Sequence, residues 1–136
     1  PSRTGEGLFR TVKKTLQLAE MEEKEIDFIS AHGTGTIFND DMESIAFHRL
    51  DMNRIPLNSL KGYFGHTLGA AGVIETAVCL QMMRNNLLVK SLGFENQGTP
   101  EHLNVLTDNK EKKIKTVLKT ASGFGGCNAS LILRKI

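Results

Sequence analysis

Tryptophan is absent from this 136-residue sequence, tyrosine occurs once, at Tyr63, and all aromatics together make up 6%. Proteins that read single-stranded nucleic acid stack bases on aromatic rings set among basic residues. With so few rings and a net charge of only +2, that class has no support. Cysteine is equally scarce. Cys79 and Cys127 form neither a C-x-x-C pair nor a metal-ligand pattern, which fits an intracellular, cytoplasmic location. No apolar run approaches the roughly 20 residues of a membrane span, and no signal-peptide pattern opens the sequence. What remains is ordinary globular material, 40% apolar and 24% charged, enough for one domain with a real core. The chain opens on Pro1 rather than Met and its first periodic segment follows at once, so it reads as a piece of something longer.

Helical spacing of Leu8, Phe9, Val12, Leu16 and Ala19 predicts a helix over 5–20. A strand is expected over 25–31, carrying Ile26, Phe28 and Ile29. A second helix is expected over 39–50, capped by Asn39 or Asp40, with Glu43 at the reciprocal capping-box position if Asp40 is the cap. A short strand over 54–60 comes next, then a helix over 73–84 that is apolar nearly all round and therefore expected to be buried between layers. "EKKIK" reads as a solvated charge cluster, and strands over 117–122 and 129–133 are joined by the hairpin-like "GFGGCN". Helices and strands alternate, and a glycine-rich loop follows each of the first three strands. In an α/β sheet, loops at the carboxyl ends of parallel strands gather on one edge, so the three loops are expected to converge on one site.

His32 in "SAHGTGTIFND" and His66 in "KGYFGHTLGAAG" each follow a strand and sit among residues too small to block a ligand. His66 precedes the apolar helix, whose positive dipole end favours a neutral imidazole; Lys61 would act in the same sense if close. A neutral histidine can donate a hydrogen bond to charge developing on a substrate oxygen. His48 and His102 are assigned no role. Two distant histidines with no clear third ligand define no metal site. "GHTLGAAG" lacks the GK[ST] ending of a phosphate loop, and a dinucleotide fingerprint starting at Gly123 fails at Asn128. A nucleophile is missing: Cys79 lies in the buried-looking helix, and Cys127 has no base near it in sequence.

The three loops together resemble the carboxyl-terminal half of a β-ketoacyl-acyl-carrier-protein synthase, a condensing enzyme of the thiolase-like superfamily. "HGTGT" with the following "ND..E" is similar to the first histidine motif, "K....GHTLGAAG" to the lysine and second-histidine motif, and "GFGGCNASLIL" to the closing glycine hairpin. The resemblance implies an α/β fold, a thiolase-like half with a mixed sheet and helices on both faces, incomplete relative to a full synthase. It implies that 1–136 form the carboxyl-terminal synthase domain without the amino-terminal nucleophile half.

By the same resemblance His32, His66 and Lys61 are the catalytic set. The histidines would bind the thioester carbonyl of malonyl-carrier and stabilise the enolate formed on decarboxylation, and Lys61 would order the site and contact a glutamate, matched to Glu43. Glu75 matches a second acidic position. Thr34 and Thr36 match residues that bind the phosphopantetheine arm. Phe124 matches a gatekeeper whose N–H joins the oxyanion hole. No permanently bound cofactor and no metal are implied, because the substrate arrives on the phosphopantetheine of acyl carrier protein. Implied partners are that carrier, the amino-terminal half, and a second subunit in a homodimer or heterodimer, in fatty-acid or polyketide synthesis. The isolated chain is expected not to condense acyl groups. Other readings stay open: a chain-initiation decarboxylase or chain-length partner, and a stand-alone binding module for carrier protein or coenzyme A.

Overall fold

A computed structural model describes all residues, 1–136. Ten elements follow in order: α1 (Glu6–Leu18), β1 (Phe28–Ser30), α2 (Ile37–Arg49), β2 (Leu57–Asn58), α3 (Lys61–Phe64), α4 (Ala71–Asn85), β3 (Leu87–Leu88), β4 (Lys110–Glu111), β5 (Thr116–Ser122) and β6 (Asn128–Arg134). The main sheet has the order β2-β1-β5-β6. β1 runs parallel to β2 and to β5, and β6 closes the edge as the antiparallel arm of a hairpin. β3 and β4 form a separate two-stranded sheet.

Alternation along the strands decides which helix covers which face. Phe28 and Val117 are register partners, and both pack with Cys79, Met82 and Met83 of α4. One residue on, Ile29 and Leu118 point the other way, into a core with Leu8, Val12 and Leu16 of α1 and Met42, Ala46 and Phe47 of α2. The expected mixed sheet with helices on both faces is what forms. The next register pair, Ser30 and Lys119, returns to the α4 face.

Two expectations need correction. α2 starts earlier than its polar run, at Ile37 with Thr36 as N-cap, and Asn39, Asp40 and Glu43 lie inside it. Their side chains serve the preceding loop rather than a cap. α4 is not buried all round: the sheet covers one face only, so Ala71, Glu75, Cys79, Met82 and Met83 are buried while Val73 is 75% exposed. None of the charged residues of "EKKIK" is buried, as expected of a solvated charge cluster, while Ile114 among them is fully buried in the α4 core. The first two strands are shorter than expected, yet ladder bonds from Asp27 N to Thr116 O and from Ala31 N to Asn58 O continue β1 at both ends.

Candidate active site

β1, β2 and β5 are parallel neighbours, so the loops leaving their carboxyl ends emerge on one edge. His32 lies on the first loop and His66 on the second. Their rings stand edge to face, 82° apart, with centroids separated by 5.2 Å. The predicted convergence is therefore present for the two histidines.

The first loop is held from below by α2. Glu43, buried on the helix, accepts hydrogen bonds from His32 N at 2.8 Å, from Gly33 N at 2.6 Å and from Asn39 Nδ2 at 3.0 Å. Asp40 accepts from Thr34 N at 3.2 Å. The helix thus supplies two carboxylates to main-chain donors that have no sheet partner. Burial pushes the Glu43 carboxyl above its ordinary range, and the N–H groups of Gly33 and His32 pull it back. Gly33 has φ +44°, and a Cβ there would lie 2.5 Å from Ser59 Cβ, so the tight turn requires glycine. The second loop carries its own strain: Thr67 and Leu68, directly after His66, have φ of +50° and +48°.

Behind the histidines lies a buried charge cluster. Lys61 Nζ donates to Glu75 Oε1 at 2.7 Å and to the His32 carbonyl, and stands 3.2 Å from His32 Nδ1. The anticipated Lys61–Glu43 contact is replaced by Lys61–Glu75, since Glu43 is committed to the loop. Lys61 also serves His32 and not His66. An ammonium only donates, so Nδ1 of His32 is the acceptor and its proton sits on Nε2. The His32 pKa is lowered to about 4, chiefly by burial, then by Lys61, Lys119 and His66, with Glu75 opposing. The neutral imidazole argued for at His66 is secured at His32 by these neighbours. α4 itself begins only at Ala71, beyond a one-turn segment Leu68–Ala70.

Lys119, missed in the sequence, completes the cluster. Its ammonium pairs with Glu75 Oε2. The available signal was a lysine inside an apolar strand, on the same face as Val117. Thr34 and Thr36 hydrogen-bond each other through their hydroxyls at 2.7 Å. Phe124 lies on the third loop and is 95% exposed. Cys79 is buried, with its thiol pushed up by burial, and Cys127 is exposed; both are free. A cavity of about 510 Å³ opens beside the first loop, lined by Thr34, Gly35, Asp40 and Lys61 among others, but by neither histidine.

Residues 1–95 match the family model "Beta-ketoacyl synthase, C-terminal domain". The chain belongs to this family. It is similar to a putative mitochondrial 3-oxoacyl-[acyl-carrier-protein] synthase of Schizosaccharomyces pombe, 37% identical over 99% of this chain and 34% of that one. It is also similar to 3-oxoacyl-[acyl-carrier-protein] synthase 2 of Rhizobium meliloti, 36% identical over 99% of this chain and 33% of that one. Among solved structures, a ketosynthase in complex with its chain length factor from Xenorhabdus doucetiae superposes with a TM-score of 0.91, 34% identity, and coverage of 100% of this chain and 35% of that one. The synthase domain thus spans about a third of the length of the curated relatives it matches. No helix in it is long and apolar enough to cross a membrane.

Proposed function

We propose that this domain carries the decarboxylation half of a β-ketoacyl synthase active site. The observation that carries the reading is the His32–His66 pair, ring centroids 5.2 Å apart on the loops that follow two adjacent parallel strands, with His32 held neutral. His32 Nε2–H and His66 donate to the thioester oxygen of a malonyl group. The bond from the α-carbon to the carboxylate breaks, carbon dioxide leaves, and the electron pair passes into an enolate whose oxygen the two imidazoles stabilise. The α-carbon then attacks an acyl thioester on a cysteine supplied by the amino-terminal part of the synthase. A carbon–carbon bond forms and the cysteine thiolate departs. Lys61, paired with Glu75, holds His32 in its donating tautomer. Glu43 fixes the loop beneath it.

The substrate arrives on the phosphopantetheine of an acyl carrier protein. Thr34 and Thr36, paired on the outer part of the first loop, line the route of that arm. A relative with 27% identity and a TM-score of 0.92 is a type II polyketide ketosynthase solved with its acyl-carrier protein, which supports a carrier-borne substrate. Phe124, on the closing hairpin, gates the acyl pocket and lends its N–H to the oxyanion hole. The exposed apolar residues Ile37, Phe38 and Val73 are covered by the amino-terminal part or a second subunit. Free cysteines are in keeping with a reducing, cytoplasmic setting. By itself the domain condenses nothing, because it lacks the acyl-bearing cysteine.

The test is to incubate the whole synthase carrying this domain with malonyl-carrier and an acyl-carrier. Carbon dioxide and a 3-oxoacyl-carrier in equal amounts are the expected products. Carbon dioxide without condensation would instead make it a chain-initiation decarboxylase. Release of neither would refute the reading.

A further inference from the structure

Lys119 is 2% exposed, in the middle of β5, and the mechanism above gives it no task. Its ammonium faces three oxygens: Ser30 O at 3.3 Å, Ala31 O at 3.1 Å and Glu75 Oε2. An ammonium has three donors and no acceptor, so every N–H has one partner. A neutral amine would turn its lone pair toward oxygen. The cage therefore fits the charged form, although burial pulls the Lys119 pKa below the ordinary lysine range against the opposing pull of Glu75.

We propose that Lys119 is a positioning residue, a tethered cation that holds Glu75 and the main chain leading into His32, and through them sets the place and proton state of the His32 imidazole. Ser30 and Ala31 are the two residues before His32, and Lys119 binds both carbonyls at the point where β1 ends. By taking Oε2 of Glu75 it leaves Oε1 to Lys61, which stands against His32 Nδ1. Two ammoniums then share one carboxylate, and the positive charge left over opposes protonation of His32. The groups facing this cluster are Glu75 and Cys79 from α4, Glu43 from α2, Lys61 from α3 and His66 from the second loop. Glu43 is engaged by main-chain N–H groups and does not cancel the effect at His32. The catalytic meaning of this arrangement rests on the proposed function; the effect on His32 does not.

The experiment follows the imidazole of His32 by NMR titration in the protein, in Lys119→Met, which keeps an apolar stem one atom shorter and removes the charge, and in Lys119→Ala. The His32 midpoint is expected to climb from about 4 toward the ordinary histidine value. In Lys119→Ala, which empties the cage, methylammonium at high concentration should bring it back down. An unmoved midpoint in a folded variant, insensitive to methylammonium, overturns the proposal. Should Lys119→Met fail to fold, the unmutated protein decides. A lysine ammonium signal protected from solvent exchange supports the cage, and a freely exchanging amine overturns it. Decarboxylation assays are read separately: absence of carbon dioxide release sinks the functional reading and leaves the Lys119 result standing.

Discussion

The imidazole of His32 meets that of His66 edge to face at 5.2 Å, although 33 residues of chain lie between them and they belong to different loops. Parallel pairing of β1 with β2 is what brings them together, since it puts the carboxyl ends of both strands side by side.

Stability should fall as the solution is acidified from about pH 6.5 to about pH 4. His32 in the folded protein titrates near 4, below the unfolded value of about 6.5. Between those pH values the unfolded chain binds a proton that the folded chain refuses, so stability is lost as pH drops. The loss is on the order of 1–3 kcal/mol. Glu43, raised in the fold, acts in the opposite sense above its ordinary value. Comparing denaturant midpoints with His32→Gln at each pH separates the two: the variant should show the smaller acid loss. Equal slopes would contradict the assignment.

Glu75→Leu should be severe. It leaves Lys61 and Lys119, at 8% and 2% side-chain exposure, without an anion. Breaking a buried ion pair from one side costs about 3–5 kcal/mol. Adding Lys119→Met removes one stranded charge, so the double variant should be less damaged than the sum of the singles. Urea denaturation of the four proteins checks the coupling.

Gly33→Ala should weaken both fold and site. The position has φ +44° and no room before Ser59 Cβ. A cost of about 1–3 kcal/mol is expected, read from the thermal midpoint. Gly35 also has a positive φ, at +70°, but open space around it, so Gly35→Ala should cost less.

Much of this arrangement was legible in the residues. Short apolar runs, with Ile26, Phe28 and Ile29 in one and 117–122 in another, gave the strands, and the small residues around His32 and His66 marked their loops. What was not legible depended on partners distant in sequence. Glu43 fitted a local capping role, and only the fold shows its carboxylate aimed at His32 N and Gly33 N. Lys61 was matched to Glu43, but the buried stripe of α4 through Glu75, Cys79 and Met82 carries Glu75 to the strand ends, and Lys61 pairs there instead. Lys119 drew no attention in the sequence, and only its register with Ser30 shows it beneath α4. The all-round apolar character of α4 concealed that only one face is covered within this chain.

The most direct test measures carbon dioxide release from malonyl-carrier by the whole synthase and by its His32→Ala, His66→Ala and double variants. If both rings donate to one enolate oxygen, each single change should slow release by about 10²–10³-fold. The double change should then cost much less than the product of the two, because the groups act as a unit. A single variant that releases carbon dioxide at the unmutated rate would contradict the account.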